Sequence, residues 1–164
     1  MDKIHKLIEI INNNLGIETI FAFQGGKQPE KPYISVQILD IGQKNRKGSK
    51  KVLPEMMAEI KRTTHVNAIL QFNCIGNNLF ESKQTALSLF DFINFKSREV
   101  FWENKIGIVK IGNIIERTVP MENTKYEYIN NLDVTIEYER TAQYNIENLD
   151  SIVIDEGTKV QRRK

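Results

Sequence analysis

The chain has 164 residues, is 27% charged and 40% hydrophobic, and carries a formal net charge of +2. That length and apolar content suit one domain with a real core, and so balanced a charge does not advertise a nucleic-acid binder. No apolar run is long enough to span a bilayer, and the single cysteine, Cys74, excludes an intrachain disulfide framework.

The first predicted element is an amphipathic helix from Asp2 to about Leu15, with Ile4, Leu7, Ile8, Ile11 and Leu15 on one stripe. Asp2 and Glu9 interrupt it, so it is no signal-peptide core. Gly16 is placed to end it. Ile17–Phe23 is rich in β-formers and predicts a short strand. Gly25, Gly26, Pro29 and Pro32 then mark a loop. The two glycines lack the G-x-G-x-x-G spacing and no helix follows, so they are no phosphate fingerprint.

Tyr33–Ile41 predicts a second strand, with Ile34, Val36 and Ile38 alternating with Ser35 and Gln37. Gly42–Lys51 is polar and basic, and is expected to be a mobile loop. Pro54 opposes central pairing where it stands. Met56–Lys61 is read as extended and feeds the strand around which the chain is organised, Arg62–Gly76. There Val66, Ala68, Leu70, Phe72 and Cys74 share one face. Asn67, Gln71 and Asn73 share the other, with Ile69 and Ile75 as apolar intruders.

Gly76-Asn77-Asn78 breaks this strand. Asn78 is a natural helix N-cap, and Glu81 three residues later completes a capping-box-like start. The helix that follows is predicted over Leu79–Ile93, with Leu79, Ala86, Leu87, Phe90 and Ile93 as its apolar stripe. Ser97–Asn104 predicts a second short helix, capped by Ser97 and held by Val100, Phe101 and Trp102. Trp102 and Phe101 read equally as core or as an interface anchor.

Ile106–Ile115 is the next strand, and Gly107 and Gly112 within it suggest a bulge or a close backbone approach. Arg117–Lys125 is a connection. Tyr126–Glu139 is the clearest strand of all. Tyr126, Tyr128, Leu132, Val134, Ile136 and Tyr138 fill one face, and Glu127, Asp133, Thr135, Glu137 and Glu139 the other. A slip of one residue would bury the carboxylates, which fixes the register. Gln143–Ile154 is expected to add an edge strand, and residues 155–164 to form a flexible charged C-terminal tail after a domain spanning 1–154.

The order of elements, α-β-β-β-α-β-β, lacks strict βαβ alternation. It fits an α+β fold: a single domain with a mainly antiparallel β-sheet and helices packed on one face.

The sequence offers little that could carry chemistry. His5 and His65 are far apart and neither has a neighbour at metal-ligand spacing. There is no G-x-S-x-G, H-E-x-x-H, C-x-x-C, P-loop or Rossmann signature, so no catalytic, cofactor-binding or metal residues are assigned and no enzyme is expected. Glu127, Asp133, Glu137 and Glu139 read as the solvated side of a strand, as paired acid/base groups, or as the wall of a channel that repels a polyanion. Lys44, Arg46, Lys47, Lys50 and Lys51 read as a solvated loop, as a loop that orders against an acidic partner, or as a contact to DNA phosphates. No aromatic is interleaved with them, so base stacking is not indicated. Lys159, Arg162, Arg163 and Lys164 make a second cationic cluster at the C-terminus.

In its order of features the chain resembles bacteriophage neck and tail-terminator proteins. After an N-terminal helix, Pro32-Tyr33-Ile34-Ser35-Val36-Gln37-Ile38 resembles that family's "PYxxVxI" strand. Glu59–Gly76 running into Asn77–Ile93 resembles its strand–glycine–helix segment, with Cys74-Ile75-Gly76 where the family carries an aromatic before the glycine. Asn131-Leu132-Asp133-Val134-Thr135-Ile136 resembles its late "xLDVxI" strand. The resemblance covers about Met1 to Ile154.

It implies a virion protein of the tail or neck, made in the host bacterial cytoplasm and without an active site or cofactor. Such proteins assemble as a ring, commonly a hexamer, on the end of the tail tube. They bind the tail tube protein, stop tube polymerisation and present a joining surface to the head-side connector protein. DNA passes through the lumen without sequence-specific binding, and no membrane is involved. On this basis Lys44, Arg46, Lys47, Lys50, Lys51, Arg162 and Arg163 are expected at subunit or ring interfaces. Glu127, Asp133, Glu137 and Glu139 are expected to face the lumen. The alternatives are a head–tail adaptor at the neck and a DNA-binding accessory protein acting through its basic loop.

Overall fold

The computed structural model describes residues 2–23, 25, 27–43, 59–121, 125–145, 151–153 and 159–161. The chain opens with helix α1 (Asp2–Leu15) and strands β1 (Thr19–Phe21), β2 (Tyr33–Gln43) and β3 (Glu59–Gly76). Helix α2 (Leu79–Asp91) passes through a π-helical turn, Phe92–Lys96, into α3 (Arg98–Glu103). Then come β4 (Ile106–Glu116), β5 (Val119–Pro120), β6 (Tyr126–Asn145), β7 (Ser151–Val153) and β8 (Lys159–Gln161).

The fold is α+β. A mixed, mostly antiparallel sheet of six strands runs β1-β2-β3-β6-β4, with β5 paired to β6. β1 joins β2 in parallel, Thr19 lying opposite Ile34 and Phe21 opposite Val36. Register makes one face apolar. Ile34, Val36 and Ile38 of β2 lie opposite Cys74, Phe72 and Leu70 of β3. Ile106, Ile108, Ile111 and Ile114 of β4 lie opposite Tyr138, Ile136, Val134 and Leu132 of β6. The three helices pack against this face. α1 contributes Ile4, Leu7 and Ile11, α2 Ala86 and Leu89, and α3 Phe101, all fully or almost fully buried. Each of these side chains other than Ala86 is worth roughly 1.5–3 kcal/mol of burial, so the sheet's apolar face is also the seat of the stability.

The joint between β3 and α2 is tight because Gly76 has no side chain. A Cβ there would stand 2.5 Å from the Ser82 backbone nitrogen. Asn78 caps α2, its side-chain oxygen accepting from the Glu81 amide at 2.9 Å. Glu81 reaches back one residue further than an ordinary capping box and accepts from the Asn77 amide at 2.5 Å.

The apolar stripe expected on α2 is corrected by the structure. Leu79 and Leu87 are 39% and 40% exposed, and the buried positions are Ser82, Thr85, Ala86 and Leu89. Hydroxyls can be buried here because each is satisfied locally. Thr85 donates to the Glu81 carbonyl at 2.9 Å, and Ser82 accepts from Asn130 at 2.6 Å. Small residues on this face let the helix approach the sheet closely. The same contact explains Asn130, a polar residue buried on the otherwise apolar face of β6.

Other differences are local. α2 ends at Asp91, two residues early, where the π turn takes over. Ser97 makes no side-chain cap to α3; its hydroxyl donates back to the Ile93 carbonyl at 3.0 Å. Tyr126 is half exposed, beyond the reach of the core. The 117–125 connection contains β5, which pairs Val119 with Glu127. β6 continues to Asn145, and β7 pairs with β8 in a separate two-stranded sheet rather than edging the main one. The glycines of β4 act as expected: register shifts fall at Ile108/Lys110 and Ile111/Ile114, and a Cβ on Gly112 would lie 3.1 Å from the Asp133 carbonyl oxygen. Pro54 and Met56 lie outside the described residues.

The chain divides into two compact units. The larger takes residues 1–44 and 65–139 and holds the core described above. The smaller takes 45–64 and 140–164; in it Thr63 and Thr141 share a hydroxyl hydrogen bond of 3.1 Å.

Candidate assembly surfaces

Two surfaces of the larger unit carry the features of interest. The first is the sheet face turned away from the helices. Gln71 donates to the Asp133 carboxylate at 3.1 Å. Further along the same strand pair, His65 sits between two carboxylates, 3.7 Å from Glu137 and 3.5 Å from Glu139. As β3 numbers fall, their β6 partners rise, so the two strands run antiparallel and Asp133, Glu137 and Glu139 share one stripe. Glu127 stands nearer the other end of β6. It lies 3.7 Å from the Lys31 ammonium and 3.4 Å from the Gln28 amide nitrogen, which also donates to the Tyr33 phenol at 2.6 Å. Burial pushes the Tyr33 phenol above its ordinary range; the Gln28 bond opposes this and the Glu127 charge adds to it.

The four carboxylates are therefore brought onto one strand face, but each has a polar neighbour. This is not the arrangement of a general acid and base, which needs a pair whose surroundings push their protonation apart. Among the described residues no group of three His, Cys, Asp or Glu side chains could hold a metal ion. Cys74 is buried in the core and burial pushes its thiol up to about 12, which makes it a small hydrophobe and not a nucleophile.

The second surface comprises the two edges of the sheet. Beside β4, a groove of about 710 Å³ lies between the strand and the α3 region, lined by Phe90, Ile93, Phe101, Trp102 and Ile106 among others. Of the two aromatics left open by the sequence, Phe101 is core and Trp102 is 84% exposed at the groove. At the opposite edge Phe23, just past β1, is 91% exposed. It holds φ at 60°, a left-handed conformation rare for a bulky residue. On the adjoining strand β2, Leu39 and Ile41 are about half exposed, where a register shift between Ile38 and Asp40 breaks the pairing rhythm. By its place in the sequence Phe23 ends the short strand predicted over Ile17–Phe23. The available signal was a large aromatic directly before a glycine-containing turn.

The cationic residues singled out by the sequence, Lys44, Arg46, Lys47, Lys50, Lys51, Arg162 and Arg163, lie outside the described residues. No described helix is long and apolar enough to cross a membrane.

A search of curated proteins finds no match. A family model does match, over residues 3–161, and its description is phage neck terminator protein. That family is structural, not enzymatic. With nearly its whole length matched, the chain belongs to the phage neck terminator protein family.

Proposed function

We propose that this protein closes into a ring on the end of the tail tube, stops tube polymerisation and offers the surface on which the head-side connector docks. The observation that carries the reading is the family match over residues 3–161. The fold supports it. A small α+β unit with a knob on one sheet edge and a groove on the other suits head-to-tail contacts, which close into a ring when the rotation allows. Residues 1–154 would make the terminator domain, and the charged segment 155–164 would reach a neighbour or an adjoining ring.

In that ring Asp133, Glu137, Glu139 and Glu127 line the lumen. An acidic wall repels the phosphate backbone, so DNA passes without sticking. The basic residues Lys44–Lys51, with Arg162 and Arg163, contact neighbouring subunits or rings.

The test is native mass spectrometry of the purified protein, alone and with tail tubes assembled from the tube protein of the same phage. A closed oligomer, or a fixed number of subunits per tube end with elongation arrested, is the expected result. A protein that neither oligomerises nor binds tubes overturns the reading. Deleting residues 44–50 should leave a folded protein that fails to cap tubes; normal capping would remove that loop from the interface. A ring structure with the carboxylate stripe on its outer wall would end the lumen assignment.

A further inference from the structure

The two sheet edges are complementary in shape, level and chemistry. β1 and β4 end the strand order, so whatever binds one edge cannot reach the other in the same subunit. Phe23 projects from the β1 edge, and the groove opens at the β4 edge.

Their levels along the strands agree. β1 runs parallel to β2 with Phe21 opposite Val36, which carries Phe23 towards Ile38. Phe23 and Ile38 line one shallow depression together with His5 and Phe21. Ile38 is opposite Leu70, Gln71 bonds to Asp133, and Val134 is opposite Ile111. Ile111 lines the groove. The knob therefore stands level with the Ile111 end of the groove, which runs on along β4 to Ile106. Both also lie on the helix-bearing face, since Phe21, Val36 and Ile38 on one side and Phe101 and Ile106 on the other all belong to the core or pack against it.

The chemistry matches too. The groove is aromatic and aliphatic, with the cations Arg98 and Lys110 in its wall. Phe23 itself is the aromatic side chain that the opposite edge presents, 91% exposed. An aromatic knob meets an apolar slot. The left-handed φ of Phe23 adds a reason. Backbone strain of this kind costs about 1–3 kcal/mol and clusters at binding and switch sites, and here it aims the ring outward instead of into the core.

We infer that Phe23 of one copy of this chain seats in the groove between β4 and α3 of the next copy. The inference rests on the ring reading above and names the contact that would build it. Because the knob and the slot are different surfaces at opposite edges, the contact is heterologous and leaves a free knob and a free slot on every open chain until the ring closes.

The experiment uses two single variants of the full chain, Phe23→Asp and Trp102→Asp, read by native mass spectrometry beside the unaltered protein, alone and with assembled tail tubes. Each variant alone should stay monomeric where the unaltered chain closes, with apparent affinity weakened at least about 30-fold, as for a buried aromatic anchor. Mixed together they should form a one-to-one heterodimer and stop there. Trp102→Asp supplies the intact knob and Phe23→Asp the intact slot, and no further contact is possible. The heterodimer also proves that both variants are folded. Variants that close into rings like the parent would overturn this contact and leave the ring reading standing. Monomeric variants that fail to pair when mixed would overturn it as well. An unaltered protein that stays monomeric in solution and on tubes would overturn the ring reading, and this contact with it.

Discussion

Replacing Gly76 by alanine and, separately, Gly107 by alanine applies the same chemical change to two sites that differ in space alone. Neither glycine has a positive φ, so backbone strain does not distinguish them. At Gly76 the new Cβ would lie 2.5 Å from the Ser82 nitrogen, 3.0 Å from its Cα and 3.1 Å from the Asn78 carbonyl oxygen. All three are backbone atoms of the first turn of α2, so no flexible side chain can yield. Relief requires the N-terminus of α2 to move away, which loosens the Asn78 cap and the packing behind it. Overpacking costs about 1–3 kcal/mol and a lost cap about 1 kcal/mol, so Gly76→Ala should destabilise by about 2–4 kcal/mol. At Gly107 the nearest atom is the Glu137 carbonyl oxygen at 3.5 Å, ordinary contact. There alanine should be neutral or stabilise by about 0.4–1 kcal/mol, through the unfolded chain's lost freedom. Urea unfolding followed by circular dichroism measures both. With a slope of about 2 kcal/mol per molar, the midpoint for Gly76→Ala should fall by about 1–2 M. A midpoint for Gly76→Ala within about 0.3 M of the parent's, or an equal loss at both sites, would refute the steric account of the β3–α2 joint.

Three further outcomes follow from the same core. Asn78→Ala removes the 2.9 Å cap on the Glu81 amide and should cost about 1 kcal/mol in the same urea assay. Ser82→Ala leaves the buried Asn130 side chain without its 2.6 Å acceptor and should cost about 1–3 kcal/mol; the Ser82→Ala, Asn130→Ala pair should cost less than the two singles summed. Cys74 should resist thiol reagents at about pH 8 in the folded protein and react on unfolding. Its folded pKa of about 12 stands above the ordinary 9.0, so the stability it contributes is whole below 9 and declines as pH rises towards 12, a decline that Cys74→Ala should lessen.

The elements legible in the sequence were those whose period is enforced by burial on one face. β3 and β6 are examples. Val66 to Cys74 and Leu132 to Tyr138 alternate strictly, and the structure buries every second residue as read. α2 was placed but its buried face was not, because its burial is set by polar partners. Ser82 and Thr85 look like surface residues until Asn130 and the Glu81 carbonyl are brought to them. Nothing near Ser82 in sequence announces Asn130, 48 positions away. The acidic stripe was legible as a face, since alternation alone puts Asp133, Glu137 and Glu139 together. Its neighbours were not, since His65 and Gln71 meet it only through the β3–β6 pairing. Phe23 and Trp102 were the least legible. A side chain that the fold leaves in water carries no periodic signal, and its use is set by a second surface elsewhere on the molecule.

That last point bears on how a terminator can be encoded without a motif. A catalytic site needs a few residue types at fixed spacing, and it leaves a pattern in the chain. The proposed ring needs two complementary edges whose levels overlap, and level along a strand is a property of register. Here it is set by Ile38 opposite Leu70 and Val134 opposite Ile111, pairs whose members are interchangeable with other apolar residues. Many sequences can therefore keep the same geometry while the exposed knob and slot change together. What must be preserved is the strand order that puts β1 and β4 at the two edges, and the tight β3–α2 joint that sets the helix-bearing face between them. On the proposed contact, the Gly76 joint and the Phe23 knob would serve one requirement, the first seating the helices on the sheet and the second engaging the groove they help to form.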